Sequence, residues 1–195
     1  MEGTCPVNKK LMAALSGGAA LVLALSGCSD GDDGEKKVDA WAKEVCDAAQ
    51  PQLKNILEAS TAIEAVTDEQ DPKKYQEASS TAYQKISDGY AALAKAVQKA
   101  GAPPVDGGEK SQTEAVKGLN AASQRYAALK TSVDELNTGD KGEFAQGLRE
   151  IQEEPPKIVK AATTSMKNLQ GGELGQAMAQ QPGCQKVADS VSPAS

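Results

Sequence analysis

DPKKYQEASSTAYQKISDGYAALAKAVQKAG, residues 71–101, is the stretch whose reading decides how this chain folds. Asp71 directly precedes Pro72, a capping acceptor followed by a residue suited to the first helical position. Apolar side chains then recur at Tyr75, Ala82, Ile86, Tyr90, Leu93 and Val97, at steps of seven, four, four, three and four. Such steps return to one face of a helix and not to one face of a strand. Gly101-Ala102-Pro103-Pro104 stops the pattern, and residues 105–109 read as loop.

The same period appears on both sides. Upstream, Val38, Trp41, Val45, Ala49, Leu53, Ile56, Ile63 and Val66 form one stripe. Pro51 interrupts it, and by removing one backbone donor it is expected to kink or restart the helix. Downstream, Ser111-Gln112-Thr113-Glu114 fits a capping box ahead of Val116, Leu119, Ser123, Tyr126, Leu129, Val133 and Leu136. Asn137-Thr138-Gly139 is a stop, and Asp140 with Glu143 caps the next start. The fourth stripe is Phe144, Leu148, Ile151, Ile158, Ala162, Met166 and Leu169, broken by Pro155-Pro156. Gly171-Gly172 ends it, with a short helical turn expected over Leu174 to Met178.

No stretch alternates at period two long enough to make a sheet. The expectation is therefore an all-α, up-down-up-down four-helix bundle with proline kinks and one disulfide, spanning residues 38–188 and followed by a disordered tail, 189–195. Aromatic residues are 3% of the 195, with Phe144 the single Phe, so Ala, Leu, Val and Ile must do most of the packing. That favours closely approaching helices. The net charge is −6, and no Lys/Arg cluster offsets it, which excludes nucleic acid as a partner on electrostatic grounds.

The N-terminal residues read differently. Lys9 and Lys10 precede an apolar run, Leu11 to Leu15 and Ala19 to Ala24, interrupted by two glycines. A charged start, an apolar stretch of this size and small residues after it form an export signal, 1–27, and the run is short of the roughly 20 residues of a membrane-spanning helix. It ends Leu25-Ser26-Gly27-Cys28, which resembles the lipobox of bacterial lipoproteins. The resemblance implies cleavage before Cys28 and a diacylglyceryl group on its thiol, with palmitate among the acyl chains. The address implied is the cell membrane, lipid-anchored on its extracytoplasmic face; at about 0.8 kcal/mol per buried CH₂, two or more chains hold a protein there for long times. Residues 28–37 carry no apolar side chain after the Cys and two glycines, and read as a flexible tether. Taken with the Ala/Gly-rich helical remainder, the chain resembles the small secreted lipoproteins of actinobacteria, a likeness that implies an address and no substrate.

Four cysteines are present, Cys5, Cys28, Cys46 and Cys184. Cys5 leaves with the signal and Cys28 takes the lipid, so Cys46 and Cys184 remain in a disulfide-permissive compartment. A metal site is the competing explanation for two thiols, and a chain without a single His supplies it poorly. The up-down-up-down topology returns the end of the fourth segment beside the start of the first, which brings Cys184 to Cys46.

The missing His also removes Ser-His and Cys-His pairs, the commonest general base and the Glu-x-x-His sets of di-iron bundles. No Walker or dinucleotide glycine motif is present. No catalytic residue, metal or cofactor is expected. Trp41, Tyr75, Tyr83, Tyr90 and Tyr126 are nearly all the aromatic surface available; they form either a ligand-holding groove or the edges of the core with hydroxyls in water. The reading of the whole is a non-enzymatic binding or interaction module facing a protein partner. A small-ligand carrier or sensor with a cavity between helices is the alternative, and a cell-envelope hydrolase a third. A cavity deep enough to bury a ligand favours the carrier.

Overall fold

The computed structural model describes residues 30–185. The expected signal peptide 1–27, the lipobox Leu25–Cys28 with its lipidation site, and the tail 189–195 lie outside the described residues. Six helices make up the rest: α1 (Asp30–Ala65), α2 (Pro72–Ala100), α3 (Gly108–Asp134), α4 (Lys141–Gln152), α5 (Glu154–Met166) and α6 (Gly172–Gln180). Among the described residues there is no strand, and none of these helices is long and apolar enough to cross a membrane.

The local signals around α2 act as the sequence implies. Asp71 Oδ1 accepts from the Lys73 backbone N–H at 3.0 Å, and Gly101 closes the far end at φ 77°, a left-handed conformation that glycine adopts without penalty. Asp140 caps α4 by accepting from Gly142 and Glu143 N–H at 2.8 and 3.0 Å.

Three local readings are corrected. Helix α3 begins at Gly108, one turn before the Ser111 capping box, and Ser111 donates to Gly107 O at 3.1 Å from inside the helix. The reason is the Gly107-Gly108 pair: Gly107 turns the chain at φ 73°, and a Cβ on Gly108 would collide with the Pro103 carbonyl. Second, α1 does not restart at Pro51 but continues through it; Pro51 lies on its exposed side, so apolar packing on the opposite face carries the helix across the lost bond. Third, α1 already starts at Asp30, inside the stretch expected to be a tether. Asp33 and Glu35 stand near its N-terminus, where the helix dipole favours negative charge, and Val38 and Trp41 anchor the next turn in the core.

The fourth apolar stripe folds as two helices. Glu153 ends α4 and immediately precedes α5, whose first turn holds Pro155. Helix α2 packs on α1 and α3, α5 packs on α3, and α6 returns to α1. Glycines permit the closest approaches: a Cβ on Gly89 of α2 would meet Ile56 of α1 at 2.5 Å, and one on Gly118 of α3 would overlap Ser165 of α5.

The core divides in two. One cluster, with Val38, Trp41, Val45, Leu93, Val97, Leu119, Leu169 and Leu174, joins α1, α2, α3 and α6. The other, with Tyr83, Ile86, Tyr126, Leu129, Val133, Ile151 and Ile158, joins α2 and α3 to α4 and α5. Ile56 and Tyr90 are half-buried against both. Near this seam the Ser87 hydroxyl donates to Ser123 O at 2.9 Å, satisfying a buried polar group between α2 and α3.

The disulfide expected between Cys46 and Cys184 is present, with Cα atoms 5.0 Å apart and a sequence separation of 138. Gly183 makes it reachable. Its backbone lies so close to α1 that an added Cβ would stand 2.7 Å from the carbonyl oxygen of Cys46.

Candidate functional site

Helices α1 and α5 share no extended contact, and a cleft of about 360 Å³ opens where the two core clusters meet. From α1 it is lined by Val45, Ala49 and Leu53, each one turn from the last; from α2 by Tyr90, Leu93, Ala96 and Val97; from α3 by Leu119. Ala162, Thr163 and Met166 of α5 and Gln170 beyond it form the opposite wall, and Met178 with Cys184 closes one end. The volume falls in the range of small-molecule sites. The same helical period that builds the core builds these walls, with Ala49, Ala96 and Ala162 leaving the space unfilled.

No charged side chain lines the cleft, so an ionised group has no partner inside and stays in water. Thr163 and Gln170 are exposed at the rim, while Val45, Leu93, Val97, Leu119 and Ala162 are buried. A furrow of about 490 Å³ between α1 and α2 is larger, but Gln52, Asn55, Glu58, Lys85 and Asp88 line it and make it a wetted surface.

The five aromatic residues singled out from the sequence have separate places. Trp41 is 6% exposed, and its Nε1–H donates to Gly101 O at 2.9 Å, tying α1 to the end of α2. Tyr75 lies edge-on to Phe144 with ring centres 6.0 Å apart, and its hydroxyl accepts from Gln152 at 3.3 Å. Tyr90, Tyr126 and Tyr83 form a row: Tyr90 stacks on Tyr126 at 5.5 Å, and Tyr126 lies 6.1 Å from Tyr83. Of the five, Tyr90 alone lines the cleft.

Burial governs the phenols of this row. It pushes Tyr83 up to about 12, with Tyr75 adding to the effect. It raises Tyr90, and it raises Tyr126 further still, with Tyr90 and Tyr83 adding and Arg125 opposing. All three stay neutral at physiological pH, and Tyr90, the one that lines the cleft, offers a ligand no phenolate.

Glu154, at the start of α5, is occupied structurally. Its carboxylate accepts from Arg125 of α3 at 2.7 Å and from Lys157 at 2.9 Å, and Lys157 followed by Arg125 holds it below the usual carboxylate range. Among the described residues no group of three or more Cys, Asp or Glu side chains is placed to hold a metal ion. Sequence reasoning placed Met166 in an apolar stripe but not in a cleft, and it missed Thr163, Gln170 and Met178 as cleft residues altogether.

The chain matches no family model, and comparison with curated proteins and with solved structures finds no match.

Proposed function

We propose that this protein is an extracytoplasmic lipoprotein, anchored to the cell membrane through Cys28, that binds a small apolar ligand non-covalently in the cleft between α1 and α5. The cleft carries this reading: it is partly enclosed, apolar on its buried walls and uncharged, and of ligand size. The protein acts without catalysis, since a chain lacking His offers the cleft no Ser-His or Cys-His pair. The lipobox resemblance of Leu25-Ser26-Gly27-Cys28 supports the anchor and the membrane as partner, as it supports kinship with the small secreted lipoproteins of actinobacteria. We read α4 and α5 as one broken arm of a four-helix up-down-up-down bundle, with α6 as a return segment beside α1.

A flat apolar patch for a protein partner has less support. Among the described residues Val159 is the one large apolar side chain that is exposed, at 45%, whereas interaction faces gather several.

Two measurements test the proposal. Intact mass of the protein from its native membrane is expected to show an acylated N-terminal Cys28; an unacylated chain cut elsewhere removes the anchor. Xenon-129 NMR is expected to show one saturable site, since dry apolar cavities take up xenon. No site in the wild-type protein, or one untouched by Ala162→Leu, removes the ligand-binding role.

A further inference from the structure

The dimensions of the cleft select among apolar ligands. Along α1 its wall runs from Val45 to Leu53, eight helical steps, with Ala162, Thr163 and Met166 of α5 opposite. At 1.5 Å per residue that is about 12 Å of length. Dividing the 360 Å³ by that length leaves a mean cross-section of about 30 Å². This admits one polymethylene chain and falls short of two side by side, and the elongated shape suits a chain better than a cage. At roughly 30 Å³ for each water-sized group, the space accepts about a dozen.

The lining chemistry agrees. Leu, Val, Ala and Met offer dispersion without direction, and the flexible thioethers of Met166 and Met178 adjust to a chain's shape. Polar side chains are few: Tyr90, partly buried, and Thr163 and Gln170 at the exposed rim. None of the three has a hydrogen-bond partner among the described residues, so all are open to a ligand's polar end.

We propose that the cleft holds a single unbranched aliphatic chain of about ten to twelve carbons, lying along α1 and α5, with its polar head left at Thr163 and Gln170. This rests on the ligand-binding reading above and narrows it to a class. A free single-chain amphiphile fits; a diacyl lipid, with twice the chain volume, does not.

The test uses the full chain carrying Cys28→Ser, so that no anchor acyl group competes, with Cys46 and Cys184 oxidised. Displacement of xenon is followed for straight-chain fatty acids and alcohols of six to sixteen carbons, below their aggregation limits. The expected Kd falls about fourfold for each added methylene, then flattens at about ten to twelve carbons. 1-Decanol is expected to outcompete 1-adamantanol, which has the same number of carbons in a cage. Ala96→Leu is expected to move the plateau about three carbons shorter. Xenon binding without a chain-length slope overturns the inference, as does adamantanol binding as well as decanol, or a soluble diacyl lipid binding as well as the single chain. If xenon itself does not bind, the ligand-binding reading falls. Should Ala96→Leu not fold, the wild-type slope and the decanol comparison decide.

Discussion

Breaking the Cys46–Cys184 bridge should cost this protein a large part of its stability. The bridge spans 138 residues of sequence, and in the chain-entropy description a loop of that size restrains the unfolded chain by about 5 kcal/mol. Domains are typically stable by about 5–15 kcal/mol, so the loss is a large fraction of the total. The core compensates little, since its two clusters are rich in alanine and leave a cleft between them. Cys46 is fully buried, so Cys46→Ala together with Cys184→Ala adds a small void to the entropic loss. Urea unfolding followed by circular dichroism, with and without reductant, should show a fall of roughly 4–5 kcal/mol. The midpoint of thermal unfolding should drop by roughly 10–20 °C. The urea slope should rise slightly, because the unbridged unfolded chain exposes more surface. Non-reducing peptide mapping establishes the bridge in the sample first. A loss below about 1 kcal/mol in a bridged sample would refute the reasoning, since the unfolded chain would then not be restrained as the loop length requires.

Other perturbations are sharply placed. Gly183→Ala puts a methyl 2.7 Å from Cys46 O and 3.1 Å from Asp47 N, backbone atoms that cannot swing aside; a loss of about 1–3 kcal/mol in urea unfolding is expected, and an unchanged midpoint means that the turn relaxes freely. Gln76 of α2 donates its side-chain amide to Val133, Asp134 and Leu136 carbonyls at 2.8–3.1 Å, holding the end of α3; Gln76→Ala should cost about 1–2 kcal/mol, with faster hydrogen exchange at the α3 terminus as the specific sign. Alkaline titration at 295 nm should show Tyr83, Tyr90 and Tyr126 ionising late. Their folded values lie above the unfolded value near 10, so the stability they contribute is complete below pH 10 and is lost as pH climbs toward 12 and beyond. Release of all phenols near pH 10 with the fold intact would contradict the packing of the tyrosine row.

The helical stripes were legible because their period depends only on which residues are apolar. Tyr75 to Val97 and Leu119 to Val133 place their large side chains where the bundle buries them. Capping by Asp71 and Asp140 was legible for a similar reason, since a short acceptor beside a helix start has one local use. The start of α3 was not, because it depends on Gly108 passing under the Pro103 carbonyl, a tertiary contact that a local capping box cannot reveal. The continuity of α1 through Pro51 has the same origin, since packing on the far face outweighs one missing backbone bond. The tyrosines illustrate the limit for the site. Their recurrence on α2 marked a face, but that face meets α3 along most of its length, and only the partly buried Tyr90 reaches a space. Where α1 and α5 fail to meet depends on how the six helices share two clusters, and no residue spacing encodes it.

The disulfide and the cleft are coupled through α6. That helix packs on α1 with Leu174 and Ala177 as its buried side chains, and it brings Met178 to the end of the cleft beside Cys184. Two buried contacts on a nine-residue helix are a slight hold, since short helices owe their stability to packing. With the bridge reduced, Met178 and Cys184 no longer close that end. A bound chain then loses burial worth between one and two methylenes, roughly tenfold in affinity. Decanoate affinity measured by calorimetry at 15 °C, below the midpoint of the reduced form, should therefore weaken about tenfold on reduction while the helix signal stays constant. Hydrogen exchange identifies the moving part: α6 amides should exchange faster in the reduced protein, and those of α2 and α3 should not. Equal affinities in both redox states, with α6 seen to loosen, would show that this end of the cleft does not contact the chain.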